Sequence, residues 1–339
     1  MRRAGTLLGH IPIPALLRSH GGRRRTRGRW SHLPLLLLLC CALFGGAGEK
    51  PGLRVLEDRV FDAGLNYPTD LCAEGRGRVW IADGLNRRLV VLEGESGKTR
   101  SVACDSFARP LGLDVFQGRV YVADPRRHGI HVLDTSGRWL KEIRLPAVCD
   151  PVDVLALEKQ LVVSDNDNHR LLVLTKEGRL VKVIGKGARE YQTPVAPTAA
   201  GLGPGETGDL VGEFTYPGLL TRTAGGFMVV DVLGARIQVF SASCRFDRLV
   251  GGFSTDGTGL FRPKGCVSNG WRDGALVVDG YTGMVCVYDD YGDYAGRLER
   301  DGKVWRLEGP TAIARDPENL ERLWVLDCRA SRVHRIRVP

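Results

Sequence analysis

The sequence lacks the short motifs by which several classes of protein are recognised. No Cys-x-x-Cys pair occurs, which excludes zinc-ribbon and haem-attachment sites. It contains neither a Gly-x-Ser-x-Gly elbow nor a phosphate-binding loop. The longest apolar run, 33–44, has twelve residues, whereas a membrane-spanning helix needs roughly twenty. Local motifs therefore assign no chemistry to this chain.

Histidine and cysteine are too scattered to indicate a metal centre. Beyond residue 48 no three histidines are spaced to bind one zinc ion; the four are His128, His131, His169 and His334. The cysteines beyond residue 48 are seven in number and irregularly spaced: Cys72, Cys104, Cys149, Cys244, Cys266, Cys286 and Cys328. An odd, irregular set argues against a full disulfide framework, so at most two or three bridges are expected.

The excess of positive charge is confined to the N-terminus. Eight arginines and no acid lie in residues 1–48, so the net charge of +9 falls by eight to +1 for the remainder. A surface that binds nucleic acid needs clustered Lys and Arg to neutralise phosphates. The body of the chain is therefore not expected to bind nucleic acid.

Residues 1–48 have the organisation of a targeting segment. A basic stretch is followed by the apolar run 33–44 and by small residues, which is typical of a secretory signal peptide cleaved near Ala47 or Gly48. We expect an extracytoplasmic protein, secreted or periplasmic. The alternative is a membrane anchor formed by residues 33–47, which would be the only contact with a membrane.

The rest of the chain is built on six repeats, each marked by an aspartate between two runs of branched aliphatic residues. The aspartates are Asp83, Asp124, Asp165, Asp231, Asp279 and Asp327. A proline precedes each first run: Pro68, Pro110, Pro151, Pro217, Pro263 and Pro310. Short β-branched runs around a polar tetrapeptide predict antiparallel strands joined by a tight turn, and proline suits the start of a strand.

Each repeat predicts a four-stranded unit, with strands near 70–74, 78–82, 88–93 and 98–104 in the first. Four strands repeated radially form a β-propeller blade, so the fold class is an all-β, six-bladed propeller over residues 53–339. The last repeat lacks a fourth strand, and residues 53–61 form a strand without a repeat. We therefore expect the N-terminal strand to close the last blade.

The repeats resemble the NHL family of six-bladed propellers over residues 53–339. The closest likeness lies in 212–240 and 251–265, with a glycine-rich start, a Phe-x-x-Pro entrance and an Ile-Gln-Val-Phe strand. The resemblance implies the same ring of antiparallel blades. The glycine that the family usually carries two residues after the proline is present here as Gly112 and Gly265, whereas Asp70 and Asp153 replace it in two other repeats.

These two exceptional carboxylates are the candidate ligand-binding residues. Asp70 and Asp153 are expected to face one mouth of the channel, where two carboxylates could hold a calcium ion; the alternative is that they cap local turns or are solvated. The six repeated aspartates are assigned to turn structure instead, because a carboxylate can accept hydrogen bonds from turn amides and each blade needs its turn. No other cofactor is indicated.

One insertion interrupts the repeats. The spacing of the aspartates is 41 residues twice and then 66 between Asp165 and Asp231. The extra segment, about 187–212, is rich in Gly, Pro and Thr and has no periodicity, so it is expected to be a surface loop at the channel mouth. It is either a lid or partner-contact loop, or a tolerated insertion.

The most consistent functional interpretation is an exported, monomeric binding module. It would use the channel mouth to contact a protein or a small ligand and would have no catalytic residues. The alternative is a metal-dependent lyase or hydrolase with its site at the same mouth, because propellers of related shape include such enzymes. The fold supports either activity.

Overall fold

The computed structural model describes residues 53–268 and 274–339, in which all strands belong to six sheets. The inner strands of successive sheets contact one another in a closed ring, the last contacting the first. The chain is therefore a six-bladed β-propeller, as the repeats predict. The leader predicted for residues 1–48 lies outside the described residues.

Blades 1 to 3 follow the chain from the channel outward. The strands of blade 1 are Asp70–Gly75, Arg78–Asp83, Arg88–Glu93 and Lys98–Ala103. Those of blade 2 are Gly112–Phe116, Arg119–Asp124, Gly129–Asp134 and Trp139–Arg144. Those of blade 3 are Pro151–Ala156, Gln160–Asp165, Arg170–Thr175, Leu180–Gly185 and a fifth, Arg189–Val195. The bounds in blade 1 differ from the predicted ones by one residue at most.

Blades 4 to 6 repeat the pattern. The strands of blade 4 are Pro217–Arg222, Gly226–Asp231, Arg236–Ser241 and Phe246–Val250. Those of blade 5 are Pro263–Ser268, Ala275–Asp279, Met284–Tyr288 and Tyr294–Arg300, with the short strand Lys303–Val304 beside the last. Those of blade 6 are Pro310–Asp316, Asn319–Asp327, Arg332–Arg337 and, from the other end of the chain, Glu57–Asp62.

The N-terminal strand closes the ring, which confirms the expectation. Glu57–Asp62 pairs antiparallel with Arg332–Arg337 along its whole length. The preceding residues Leu53–Arg54 instead pair in parallel with blade 5. The predicted strand over 53–61 is therefore divided between two blades, because the chain crosses from one to the other at Val55 and Leu56, whose amides bond to Glu299 and Arg337 respectively.

Apolar side chains of each blade pack against both neighbouring blades. In the second strand of blade 1, Val79 and Ile81 contact the core shared with blade 6, whereas Trp80 and Ala82 contact the core shared with blade 2. Successive residues of a strand point to opposite faces, so a continuous apolar run is buried on both. This explains why the runs before each aspartate are uninterrupted rather than alternating.

The turns after the aspartates share one backbone feature in every blade. In the first three blades it is a 3₁₀ turn: Gly84–Asn86, Pro125–Arg127 and Asn166–Asn168. The fourth residue after the aspartate is left-handed throughout: Arg87, His128, His169, Ala235, Gly283 and Ser331, with φ between 49° and 71°. Two of the four scattered histidines thus serve as turn residues.

The ring has two faces that differ in their connections. The proline of the inner strand pairs with the aspartate of the second strand in blades 3 to 6. Proline entrances and aspartate turns therefore lie together on what we call the entrance face. The turns between the inner and second strands lie on the opposite face.

The insertion is not the structureless loop that its composition suggested. Its residues Arg189–Val195 add the fifth strand to the rim of blade 3, pairing with Leu180–Gly185, and Pro197–Ala200 form a 3₁₀ turn. The prediction of a loop was wrong for these residues because the strand is mostly exposed and is held by backbone pairing, which leaves no apolar periodicity. Residues 201–212 contain no helix or strand, as predicted. Within the described ranges, no helix has the length and apolar character needed to cross a membrane.

Candidate functional site

The six repeated aspartates are buried and fasten the start of each blade to its turn. Each accepts hydrogen bonds of 2.7–3.0 Å from backbone amides just before the proline of its own blade. The donors are Asn66, Ala108, Arg109, Asp150, Thr215, Phe261, Arg262, Glu308 and Gly309. The sequence predicted hydrogen bonds from the amides of the turn that follows each aspartate. Asp279 and Asp327 accept such bonds.

An arginine five residues on completes three of these turns. Arg88, Arg170 and Arg236 each donate from Nε to their aspartate at 2.7, 2.7 and 2.9 Å. In blade 2 the buried His131 takes this place, with Nε2 3.7 Å from Asp124. These carboxylates thus accept hydrogen bonds from groups of their own blade, and the bonds hold the turn in place.

Asp70 and Asp153 are buried between inner strands rather than exposed at the channel mouth. Asp70 accepts from the amides of Leu71 and Leu113, both at 2.8 Å, and the second of these belongs to blade 2. Asp153 likewise accepts from its neighbour Val154 at 2.8 Å and from Leu220 of blade 4 at 2.7 Å. Each carboxylate therefore bonds one inner strand to the next and satisfies an amide that the edge of a sheet would leave unpaired.

A third carboxylate, Asp114, also bonds one inner strand to the next. It lies two residues further along its strand than Asp70 and Asp153 do along theirs. Its Oδ2 accepts from the amide of Ala156 in blade 3 at 2.8 Å. The same oxygen accepts from Arg222 of blade 4 at 2.6 Å, and Oδ1 lies 3.7 Å from the thiol of Cys72. Sequence reasoning missed Asp114 and Arg222; the only signal was an acid four residues after a proline, where other repeats carry small or apolar residues.

Burial weakens the acidity of these three groups. It raises the pKa of Asp70 to about 7, against the opposing effect of the two amides, and the charge of Asp114 raises it further. Burial, followed by the charge of Asp70, raises the pKa of Asp153 well above its usual value. Burial also raises the pKa of Asp114, although Arg222 opposes it. Burial therefore makes each of these three carboxyls a weaker acid than an exposed aspartate.

The contacts of Asp70 and Asp153 are relevant to the calcium site that the sequence predicts. A calcium site needs six to eight oxygen ligands that are free to face the ion. Both oxygens of Asp70 and of Asp153 already accept backbone amides, and a raised pKa opposes the charged form that a cation requires. In residues 53–268 and 274–339, no three His, Cys, Asp or Glu side chains cluster as a metal site. Calcium at this pair stays a prediction.

The channel holds a cavity of about 430 Å³. It extends from Asp70 and Gly265 to the turns after the inner strands of blades 4 and 6, so it occupies the half of the channel toward the opposite face. Its wall is mostly apolar, formed by Leu71, Leu113, Leu155, Leu219, Leu220, Val267, Ile313 and Ala314. The insertion contributes no residue to it.

Two arginines are among the polar residues of the cavity, which also include Asp70, Asp114, Thr221, Thr223 and Ser268. Arg222 crosses from blade 4 to Asp114 and stacks its guanidinium 4.5 Å from the ring centre of Phe116. Arg315 bonds to the carbonyls of Ser268 and Leu320, and burial lowers its pKa to about 10. Nε of Arg222 and Nη2 of Arg315 are buried without an acceptor among the described residues. Both donors could be satisfied by a ligand.

The cavity also contains thiols. Cys72 and Cys266 line it, and all seven cysteines of the described residues are free thiols. Burial raises the pKa of Cys266 to about 12, and burial together with Asp114 raises that of Cys72. Neither is a ready thiolate nucleophile at neutral pH.

The insertion is fastened to the turns of blades 3 and 4. Arg170 donates to the carbonyl of Gly203 at 2.9 Å, and Asn168 accepts from the amide of Gly205. Gln238 accepts from the amide of Gly212 at 2.8 Å and donates to the carbonyl of Glu213 at 2.5 Å. These contacts place the segment along the entrance face near the rim of two blades.

Comparison with known proteins supports the fold. Solved structures similar to the chain include a streptogramin B lyase, with 12% identity, TM-score 0.59 and coverage of 84% of this chain and 98% of that one. A gluconolactonase from Xanthomonas campestris has 16% identity, TM-score 0.56 and coverage of 85% and 92%. A protein of unknown function from Bacteroides thetaiotaomicron has 14% identity, TM-score 0.59 and coverage of 84% and 77%. Neither a protein-family model nor a curated protein sequence matches the chain.

The class of protein follows from these findings together. The chain is a six-bladed β-propeller, and the solved structures similar to it include a lyase, a gluconolactonase and a protein of unknown function. At identities of this size the likeness shows the fold alone.

Proposed function

We propose that the chain is an exported, monomeric NHL-type propeller that binds a small ligand in its central cavity. The observation that carries the proposal is a pair of arginines, Arg222 and Arg315, that line a mostly apolar cavity. Each has a buried guanidinium donor, Nε and Nη2 respectively, without an acceptor among the described residues. A largely apolar pocket with a few convergent polar groups is typical of ligand sites. The ligand that fits has an apolar body and an acceptor such as a carboxylate.

The size of the cavity favours a small ligand over a peptide. About 430 Å³ lies in the lower half of the range for ligand pockets, roughly 300–1,000 Å³. An aliphatic carboxylate would place its chain against the apolar wall, which includes Leu155 and Ile313, and its oxygens at Arg222 or Arg315. The carboxylate oxygens would accept the hydrogen bonds for which the described residues offer no acceptor.

Octanoate is a suitable probe, with octanol as the neutral comparison. We expect calorimetry to show saturable binding of octanoate and weaker binding of octanol. Arg315→Gln should weaken octanoate binding about tenfold, because a hydrogen bond to a charged group contributes about 1.5–3 kcal/mol. Ala314→Phe, which fills the cavity, should abolish it, whereas Ala242→Phe on an exposed turn should not.

The competing interpretation is a metal-dependent lyase or hydrolase. Bound Ca, Zn or Mg in elemental analysis of the purified protein, together with a melting temperature that falls on adding chelator, would favour that interpretation. Equal binding of octanoate to the wild type and to Ala314→Phe would refute the cavity as the binding site. N-terminal sequencing of protein recovered from the exported fraction tests cleavage of the leader.

A further inference from the structure

A second pocket, of about 310 Å³, lies on the entrance face where the connections into blades 5, 6 and 1 meet. Its lining residues are Tyr67, Arg262, Lys264, Gly280, Gly309, Pro310, Thr311 and Arg329. Three of these carry a positive charge and none carries a negative one. We call it the basic pocket. It is separate from the cavity of the proposed function, with which it shares no residue.

The three cations lack the partners that arginine and lysine usually have. Among the described residues, no side-chain hydrogen bond or ion pair involves Arg262, Lys264 or Arg329. The aspartates of the adjoining turns accept backbone amides: Asp279 accepts those of Phe261 and Arg262, and Asp327 accepts those of its own entrance and turn. The charge of Asp279 also acts on Lys264, whose pKa it raises against the larger effect of burial. Three unpaired positive charges in one concavity repel one another and attract an anion.

The backbone leaves room for these side chains. A Cβ at Gly280 would lie 2.9 Å from Cγ of Lys264, so only glycine lets the lysine lie across this position. A Cβ at Gly309 would lie 3.0 Å from Cβ of Arg329 and 3.7 Å from its Nε. Both side chains therefore pass close to glycine backbone, Lys264 as a half-buried residue and Arg329 as an exposed one.

Two further observations concern residues that line the same pocket. The hydroxyl oxygen of Thr311 is buried and has no hydrogen-bond partner within residues 53–268 and 274–339. Lys264 is half-buried, and burial, followed by the charge of Arg262, lowers its pKa. An unsatisfied buried hydroxyl and a partly desolvated ammonium would both be relieved by the same ligand.

We propose that the basic pocket binds a phosphate or sulfate group. Two guanidinium groups, one ammonium and one hydroxyl present donors from several directions, which suits a tetrahedral oxyanion with three or four acceptor oxygens better than a planar carboxylate. The exposed ring of Tyr67 borders the pocket and offers a surface to the group that carries the anion. The basic pocket binds this anion in addition to the ligand proposed for the central cavity, and it does not depend on that cavity.

Titration of the full chain with inorganic phosphate and with sulfate, followed by calorimetry at constant ionic strength, tests the proposal. Phosphate and sulfate should each saturate one site, whereas acetate and chloride should bind at least about tenfold more weakly. Lys264→Gln and Arg329→Gln should each weaken binding about tenfold or more, by loss of a charged hydrogen bond. Arg126→Gln, an exposed arginine of the same face outside the pocket, is the matched control.

Melting temperature separates loss of binding from loss of the fold. Lys264→Gln should melt at or above the wild-type temperature without ligand, because it removes one of three repelling charges, and phosphate should raise the melting temperature of the wild type more than that of the variant. The proposal is overturned if phosphate does not saturate, if Arg126→Gln weakens binding as much as Lys264→Gln, or if chloride competes equally. Octanoate binding should be unchanged in Lys264→Gln. The proposal for either site can therefore be refuted while the proposal for the other stands.

Discussion

Removal of the turn carboxylate Asp165 should destabilise the whole ring. Asp165 is fully buried and accepts three hydrogen bonds of 2.7 Å, from the amide of Asp150, from Asn168 and from Nε of Arg170. The side chain of Arg170 is only 9% exposed, so Asp165→Ala leaves a buried guanidinium and a buried amide without their acceptor. Breaking a buried pair in this way costs about 3–5 kcal/mol.

The expected loss is a large part of the stability of a domain. With a total of about 5–15 kcal/mol, a loss of about 4 kcal/mol should lower the melting temperature by roughly 8–16 °C. Urea unfolding followed by tryptophan fluorescence measures the change, since the buried Trp80 and Trp324 become exposed on unfolding. The midpoint should fall while the slope stays constant, because the surface exposed on unfolding is unchanged.

A matched control lies two residues away. Asp167 is exposed in the same turn, so Asp167→Ala should change stability by no more than about 0.5 kcal/mol. Combining Asp165→Ala with Arg170→Met should restore part of the loss, with a coupling of about 0.5–3 kcal/mol, because the buried charge is then removed as well. Equal losses in Asp165→Ala and Asp167→Ala would show that the carboxylate does not stabilise the turn.

Three other outcomes are expected. Gly112→Ala should lower stability by about 1–3 kcal/mol, because its Cβ would lie within 2.2–2.7 Å of atoms in blade 3, whereas Gly252→Ala, with no atom within 4 Å of the added carbon, should be neutral. Wild-type stability should fall as pH rises through about 7 by more than that of Asp70→Asn: the raised pKa stabilises the fold fully below about pH 4, and this contribution is lost above the folded pKa. Gln238→Ala should release the end of the insertion and increase cleavage after Glu213 by a glutamate-specific protease.

Each of these outcomes has a contrary result. A neutral Gly112→Ala would mean that blades 2 and 3 do not approach closely at this level. Parallel pH profiles for the wild type and Asp70→Asn would place the pKa of Asp70 in its ordinary range. Unchanged proteolysis of Gln238→Ala, compared with the exposed Gln117→Ala as control, would show that the insertion is held by other contacts.

Periodicity predicts what repeats and misses what joins different blades. The strands of blade 1 and the closing role of the N-terminal strand follow from the sequence, because every blade must bury two faces and the last repeat lacks its fourth strand. The ion pair of Asp114 and Arg222 does not follow, since it spans 108 residues and joins blades 2 and 4 across the channel. A repeat gives a residue its position within a blade but not its partner in the ring.

The alternation of glycine and aspartate after the prolines has a physical basis that only the structure reveals. Where the residue is Gly112 or Gly265, the inner strands approach too closely for a side chain. Where it is Asp70 or Asp153, a carboxylate fills the gap and bonds the next strand. The sequence predicted that these positions were exceptional and suggested a metal; the contacts show two ways of joining neighbouring strands.

Closure of the last blade by the first strand has a consequence for synthesis. The partner of Glu57–Asp62 is Arg332–Arg337, about 280 residues later, so the ring can close only when nearly the whole chain has been made. At roughly 5–20 residues per second, the first strand waits about 15–55 seconds as an unpaired edge. Four of its six residues, Glu57, Asp58, Arg59 and Asp62, are charged, which disfavours pairing with another chain during that interval. The order of translation therefore makes ring closure the last step of assembly.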